Sequence, residues 1–161
     1  MISKSSLEIF FKKILIIAED NYDDFNSIDG QLGDGDLGIT ISRGLKEINE
    51  NLTKFEDDLG KTFMVCAQCF TKASSSSFGT LVAISFMTIA KETKGKKELN
   101  FNEVQDIINK VIEAVCTRGK SKIGDKTFID TLYEISNSIS KSKIDSKTWC
   151  VPVLESNNVT S

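Results

Sequence analysis

Three aspartates and four glycines occupy ten consecutive residues near the N-terminus, in the stretch Asp29-Gly-Gln-Leu-Gly-Asp-Gly-Asp-Leu-Gly38. Carboxylates at this density repel one another and lose solvation together when the chain folds, so a cation is needed to neutralise them. The interleaved glycines allow tight turns and a close approach of the backbone to a ligand. The stretch therefore predicts a site for a hard metal ion that holds a phosphorylated ligand.

The spacing of Asp29, Asp34 and Asp36 indicates a loop, because intervals of five and seven residues interrupted by glycines do not share one helix face. Carboxylates that converge from a loop suit Mg²⁺, which binds through a few carboxylates, waters and substrate phosphates. A calcium-binding EF-hand does not fit, since counting from Asp34 places Leu45 where the bidentate glutamate belongs. The alternative is a solvated acidic turn without a ligand.

Two further segments have the composition of phosphate or nucleotide loops. Residues 73–80, Ala-Ser-Ser-Ser-Ser-Phe-Gly-Thr, place small hydroxyl residues before an apolar helix, whose free N–H groups and positive dipole end attract phosphate. Residues 118–127, Arg-Gly-Lys-Ser-Lys-Ile-Gly-Asp-Lys-Thr, supply flexible backbone and basic groups. Each also has a purely structural interpretation. The first could be an N-cap with a small-residue turn, and in the second Asp125 or Thr127 could cap the next helix.

The composition excludes several other kinds of chemistry. The chain of 161 residues contains no histidine, which rules out Ser-His-Asp and Cys-His catalysis, His-containing zinc sites and phosphohistidine. A net charge of −3, with scattered Lys and Arg, argues against a nucleic-acid partner. The apolar run at residues 10–18 is too short to span a bilayer, and there is no secretory signal pattern. We expect a cytoplasmic protein with reduced thiols and no membrane partner, in which Cys66 and Cys69 are core residues.

Helices must position these segments, because the apolar residues follow a helical period almost throughout the chain. Six amphipathic helices are predicted, at about residues 5–20, 38–51, 58–72, 78–90, 104–115 and 128–139, with polar loops at about 93–100 and 118–126. The only proline, Pro152, leaves long helices uninterrupted. No internal repeat or linker divides the sequence. We predict one all-α domain over residues 1–161, built like a helical bundle, with a polar tail from about residue 141.

In order and spacing, the three segments resemble those of the nucleotide-binding L subunit, or L domain, of dihydroxyacetone kinases. The residues that carry the resemblance are Asp29-x4-Asp34-Gly35-Asp36-x-Gly38 with the following Arg43-Gly44, Ala73-Ser74 with Phe78-Gly79-Thr80, and Arg118-Gly119-Lys120 with Gly124-Asp125-Lys126-Thr127. The resemblance extends from about residue 5 to about residue 140, which is most of the chain.

The resemblance implies a barrel of antiparallel amphipathic helices with the nucleotide at one end, held by the loops between helices. It implies two Mg²⁺ ions on Asp29, Asp34 and Asp36 that bridge the phosphates of ADP or ATP, so that phosphoryl transfer proceeds by positioning and charge neutralisation. No side chain is assigned a covalent catalytic role. The family's nucleotide contacts correspond here to Leu37, Gly38, Ile39, Thr40, Ala73 and Ser74 around the phosphates and to Gly119 and Phe128 at the base or ribose.

The resemblance also implies a biochemical role and partners. The chain would be a kinase subunit in glycerol metabolism, an alcohol-group phosphotransferase that phosphorylates dihydroxyacetone or a related sugar. A partner K subunit would hold that substrate, which fits the absence of histidine because the histidine that binds the ketone belongs to the K subunit. The phosphoryl source would be ATP, or a phosphotransferase-system protein that recharges bound ADP.

The sequence departs from the family pattern in three places. Leu37 stands where histidine is common, serines 74–77 replace part of a glycine-rich loop, and the last two of the family's eight helices, with their basic lid, are missing. Their loss would expose apolar surface and remove an arginine clamp. Three explanations are open: a partner completes the barrel, the sequence is truncated, or activity is impaired. The alternative function is a non-catalytic, nucleotide-sensing regulatory relative.

Overall fold

The computed structural model of the protein describes residues 1–141, and seven α-helices make up most of that range. In chain order they are α1 (Lys4–Asp20), α2 (Tyr22–Asp29), α3 (Leu37–Glu50), α4 (Leu59–Ala73), α5 (Ser77–Glu92), α6 (Phe101–Gly119) and α7 (Phe128–Lys141). A single 3-10 turn at Leu52–Lys54 follows α3. The all-α prediction is confirmed, and the predicted polar tail lies outside the described residues.

The helices pack mainly against their neighbours in the chain, α3 on α4, α4 on α5, α5 on α6 and α6 on α7, while α1 packs on α3. Short connections between packed helices produce antiparallel pairs. Beside α1, β1 (Ile2–Ser3) pairs antiparallel with β2 (Glu98–Leu99), so the start of α1 lies near the start of α6. The connections that carry the candidate segments join α2 to α3, α4 to α5 and α6 to α7, and they lie at the opposite end of the bundle from the starts of α1 and α6.

The sequence prediction missed α2, which makes the described helices seven rather than six. No residue of α2 is fully buried, and its apolar side chains (Tyr22, Phe25 and Ile28) extend over only eight residues, too few for periodicity to identify a helix. Its first turn instead carries Asp23 and Asp24, which interact favourably with the positive end of the helix dipole. As a result Asp29, predicted to lie in a loop, is the last residue of a helix.

The predicted loop at residues 118–126 begins too early, because α6 continues to Gly119. Lys120 follows the last helical residue and caps the helix in the left-handed conformation (φ 51°), which glycine occupies more often in this position. The start of α4 agrees with the prediction, since Asp58 caps it by accepting from the N–H groups of Gly60 and Lys61. The start of α6 was predicted about three residues late, although Asn100 and Glu103 form a capping box there.

The main hydrophobic core lies where α1, α3, α4 and α5 meet, and its centre is aromatic. The ring of Phe86 on α5 lies within 6.3 Å, centroid to centroid, of the rings of Phe11, Phe63 and Phe70. Such aromatic pairs stabilise the fold by about 0.5–1.5 kcal/mol each beyond the area they bury. A smaller core of Val111, Ile112, Val115 and Ile129 joins α6 to α7. Both cores fix the helix ends from which the candidate segments extend.

Cys66 and Cys69 are buried on α4, in agreement with their predicted core position. Burial raises the pKa of both thiols, which keeps them in the protonated, unreactive form at neutral pH. Within residues 1–141, none of the helices combines the length and the apolar character needed to cross a membrane.

Gly44 permits the close approach of α3 to α4, and replacing it tests this packing. A Cβ atom at Gly44 would lie 2.4 Å from the Phe70 ring, so Gly44→Ala should lower the free energy of unfolding by about 1–3 kcal/mol in urea denaturation. Gly119→Ala is the control, since its Cβ would meet only the Ser121 hydroxyl at 3.1 Å and Leu81 at 3.8 Å. Equal losses in the two variants would contradict the packing.

Candidate metal and nucleotide site

The carboxylates of Asp29, Asp34 and Asp36 converge on one point. One oxygen from each lies within 4.8 Å of the other two, although the residues belong to different elements. Asp29 ends α2, Asp34 lies in the connection, and Asp36 immediately precedes α3. The Asp36 backbone N–H donates to Asp29 Oδ2 at 3.0 Å and fixes the two ends of the connection together. No other group of this kind exists within residues 1–141.

Two glycines make this turn possible. Gly35 has a positive φ of 73°, a backbone conformation that residues with a side chain rarely adopt. A Cβ atom at Gly33 would lie 2.8 Å from Asp29 Oδ1, in the space that the carboxylate itself occupies. The glycines of the motif therefore bring the backbone around the carboxylates, as the sequence predicted.

The cluster carries an electrostatic cost that a cation would remove. Partial burial, followed by the charges of Asp34 and Asp29, raises the pKa of the Asp36 carboxyl above its usual range. The donor set consists of carboxylate oxygens, without nitrogen or sulfur, which is the chemistry that Mg²⁺ prefers. The residues present thus fit a magnesium ion, and the coordination itself stays a prediction.

Hydroxyl groups from the serine segment meet the first turn of α3. The buried Thr40 donates from Oγ1 to Ser76 Oγ at 3.0 Å and lies 3.3 Å from Ser74 Oγ. Ser74 Oγ in turn donates to Ser76 Oγ at 3.0 Å, and Ser76 caps α5 by accepting from the Gly79 N–H. The first two candidate segments are therefore in direct contact, through a hydroxyl cluster formed by Thr40, Ser74 and Ser76.

The third segment reaches the same end of the bundle through an aromatic pair. The rings of Phe78, at the start of α5, and Phe128, at the start of α7, pack edge to face with centroids 5.4 Å apart. Gly119, at the end of α6, faces Leu81 of α5. All three segments thus lie where α3, α5 and α7 begin and where α4 and α6 end.

Asp130 holds the third segment in place. Its Oδ1 accepts from the Gly124 N–H at 2.6 Å and its Oδ2 accepts from the Thr127 N–H at 2.8 Å. These backbone donors, Thr127 first, lower the pKa of the Asp130 carboxyl. Of the two predicted caps, Thr127 Oγ1 accepts from the Ile129 N–H, whereas Asp125 accepts from Lys122 inside the loop and does not cap α7.

The structure places each predicted site residue as follows. Leu37, Gly38, Ile39 and Thr40 form the first turn of α3, Ala73 and Ser74 lie at the end of α4, Gly119 ends α6, and Phe128 begins α7. Contacts link Thr40 with Ser74 directly, and Phe128 joins through Phe78. The backbone N–H groups of Gly38 and Ile39, predicted to contact phosphate, both donate to Asn26 Oδ1. A phosphate would therefore compete with the Asn26 side chain for these two donors.

Three residues shape this region beyond the predicted site residues: Asn26 and Asp130, which the sequence analysis did not single out, and Ser76, which it included only as part of the serine segment. Two of them carried a usable signal. Ser76 stands three residues before Gly79 in an N-cap pattern, and Asp130 stands three residues after Thr127 in a capping-box pattern. Asn26 contacts residues twelve and thirteen positions away, a pairing that local sequence patterns do not reveal.

The sequence profile described as the DAK2 domain matches residues 31–155, most of the chain. The chain belongs to the DAK2 domain family. One relative is the ADP-binding subunit DhaL of the PEP-dependent dihydroxyacetone kinase 2 of Listeria innocua, 31% identical over 117 residues, covering 71% of this chain and 54% of that protein. The corresponding Escherichia coli subunit is 26% identical over 116 residues, covering 71% and 55%.

A solved structure supports the same family fold. The crystal structure of the dihydroxyacetone kinase of C. freundii, native form, matches this DAK2 chain with a TM-score of 0.72 and 22% sequence identity. The match covers 84% of this chain and 25% of that one. This likeness establishes the helical fold, and the chain spans about half the length of the curated relatives just named.

Removing one charge from the acidic cluster should stabilise the metal-free chain. Asp36→Asn keeps the side-chain size and relieves repulsion from Asp34 and Asp29, so its melting temperature in the presence of a chelator at neutral pH should exceed that of the unmodified chain. Asp106→Asn, at an exposed position on α6, is the matched control and should leave the melting temperature unchanged. A lower melting temperature for Asp36→Asn would show that the carboxylates do not repel one another.

The order of the third segment should depend on Asp130 and on pH. Because the pKa of its carboxyl is lowered in the folded state, the stabilisation is present above the unfolded value and is lost as pH falls through the lowered value. Asp130→Ala should therefore speed amide hydrogen exchange at Gly124 and Thr127, and the difference should disappear in strong acid. Glu134→Ala, exposed on the same helix, should leave these amides unaffected.

Proposed function

We propose that this chain is the nucleotide-binding, phosphoryl-transferring subunit of a dihydroxyacetone-kinase-like system. It binds ADP or ATP together with two Mg²⁺ ions. It phosphorylates a small hydroxyketone or related sugar that a partner K subunit holds. The observation that carries the proposal is the convergence of the Asp29, Asp34 and Asp36 carboxylates at the helix end where the Thr40, Ser74 and Ser76 hydroxyls meet.

Each side of the site has a separate task in this proposal. Asp29, Asp34 and Asp36 hold the metal, which when bound neutralises charge on the phosphate oxygens. The first turn of α3 (Leu37, Gly38, Ile39 and Thr40) lines the phosphates together with Ala73 and Ser74. Gly119 and Phe128 contact the base or ribose. No residue forms a covalent intermediate, so the chain acts by binding and orienting the nucleotide.

Family membership supports the system and the partners proposed. The relatives in Listeria innocua and Escherichia coli are named as ADP-binding subunits of PEP-dependent dihydroxyacetone kinases. By analogy, a phosphotransferase-system protein would recharge ADP bound to this chain, and ATP is the alternative phosphoryl source. We regard residues 1–161 as one L-type domain, and the cytoplasmic location stays a prediction.

A non-catalytic, nucleotide-sensing role is the second candidate. Two features favour it: Leu37 replaces the histidine common in the family, and Asn26 occupies the N–H groups of Gly38 and Ile39. Both features reduce the number of groups free to contact phosphate. The three converging carboxylates favour the kinase subunit, because sensing alone does not require charge neutralisation of a transferring phosphoryl group.

Nucleotide titration tests the binding site. We expect ADP to bind the unmodified chain in calorimetry with Mg²⁺ and much more weakly with a chelator. Asp34→Asn should weaken Mg²⁺-dependent binding by about tenfold or more, since it removes a carboxylate from the metal. Asp106→Asn is the matched control. No binding, or binding indifferent to Asp34→Asn, would contradict the proposal.

A coupled assay separates the two candidate functions. The chain is mixed with a K-type subunit from the same organism, dihydroxyacetone and either ATP or a phosphotransferase-system donor, and phosphorylated product is measured. The kinase subunit predicts product that requires Asp34, whereas the regulator predicts nucleotide binding without product.

A further inference from the structure

Asn26 caps the N-terminus of α3, a role that the residue immediately before the helix usually has. A residue that immediately precedes a helix, such as Asp36 before α3, usually accepts hydrogen bonds through its side chain from the second or third N–H of that helix. The Asp36 side chain makes no such bond. Instead, the N–H groups of Gly38 and Ile39 donate to Asn26 Oδ1, at 2.8 Å and 3.3 Å. Helix α3 is thus capped by a side chain from α2.

This arrangement needs close contact between α2 and the start of α3. A Cβ atom at Gly38 would lie 2.3 Å from the Tyr22 carbonyl oxygen and 2.8 Å from Asn26 Oδ1, so a larger residue would displace the amide. Asn26 lies three residues before Asp29, about one helical turn, on the same helix. The contact that caps α3 therefore also sets the position of Asp29 relative to Asp36.

We infer that Asn26 is a positioning residue for the metal site, which keeps the Asp36 carboxylate free to bind a cation by capping α3 in its place. The inference rests on the proposed function and extends it to a residue outside the aspartate motif. Without Asn26, we expect the side chain in the N-cap position, the Asp36 carboxylate, to accept from the N–H groups of Gly38 and Ile39. Capping its own helix would withdraw that carboxylate from Asp29 and Asp34.

Metal affinity is measured with Mn²⁺, a paramagnetic substitute for Mg²⁺, from the electron paramagnetic resonance signal of the free ion. Asn26→Ala should weaken Mn²⁺ binding by about tenfold or more, the effect typical of residues that orient metal ligands. Asn26→Asp keeps an acceptor oxygen and should recover binding relative to Asn26→Ala. Circular dichroism verifies that the helices of each variant are formed at the temperature used.

Asn49→Ala is the matched control for loss of a half-buried asparagine contact. Asn49 Nδ2 donates to the carbonyl oxygens of Phe11 and Leu45 at 2.9 Å each and joins α3 to α1, away from the acidic cluster. Its loss should lower the melting temperature and leave Mn²⁺ affinity unchanged. An equal loss of affinity in Asn49→Ala and Asn26→Ala would overturn the inference, because general destabilisation would then explain both.

A stability cycle tests the change of cap without any metal. With a chelator present, Asp36→Ala in the unmodified chain should raise the melting temperature, because it removes repulsion between carboxylates. In the Asn26→Ala background the same substitution should lower the melting temperature, because Asp36 there caps α3. The same direction of change in both backgrounds would overturn the exchange of caps.

The outcomes for this inference and for the proposed function are distinct. Absence of Mn²⁺ binding by the unmodified chain would overturn the proposed metal site and this inference with it. Equal Mn²⁺ affinity of Asn26→Ala and the unmodified chain would overturn this inference alone. A selective loss in Asn26→Ala, recovered in Asn26→Asp, together with opposite signs in the stability cycle, would support it.

Discussion

Mutual repulsion among three carboxylates is the constraint around which this end of the bundle is arranged. One carboxylate oxygen each of Asp29, Asp34 and Asp36 lies within 4.8 Å of the other two. This placement is unfavourable without a cation, because carboxylates are more stable when each is separately solvated by water. The backbone supplies the means to hold them: a left-handed Gly35, and a hydrogen bond from the Asp36 N–H to Asp29. A fold that maintains such repulsion stores part of the free energy released when a cation binds.

The rest of the bundle provides a rigid frame for that turn. Aromatic packing around Phe86 fixes α1, α4 and α5 against one another, and the absence of a side chain at Gly44 lets α3 approach α4 closely. The hydroxyl cluster at Thr40 and the Phe78–Phe128 pair then connect the loops at one end. Loops held by side chains from several helices keep a defined shape, and binding a ligand then requires little additional ordering.

The sequence predicted the elements that bury an apolar face and missed those held by polar contacts. Periodicity located α1, α3, α4, α5, α6 and α7 within a few residues, because each places apolar side chains against a core. It could not locate α2, which has only eight residues and no fully buried side chain. The convergence of the aspartates could be predicted, because carboxylates at this density need a shared cation and the glycines between them allow a tight turn. The role of Asn26 could not, because it depends on a contact between two helices that forms only in the folded chain.

Helix α2 has a consequence of its own for the response of the protein to ions. With no fully buried residue, it is retained by its packing against α3, the Asn26 contact and the Asp29 carboxylate. We expect an element without fully buried residues to open more readily than the core helices, without global unfolding. A cation held by Asp29 would be thermodynamically linked to the closed form of α2. The open–closed equilibrium of this short helix would then depend on the ion concentration. The closed form would be less populated in dilute Mg²⁺ and more populated as the concentration rises.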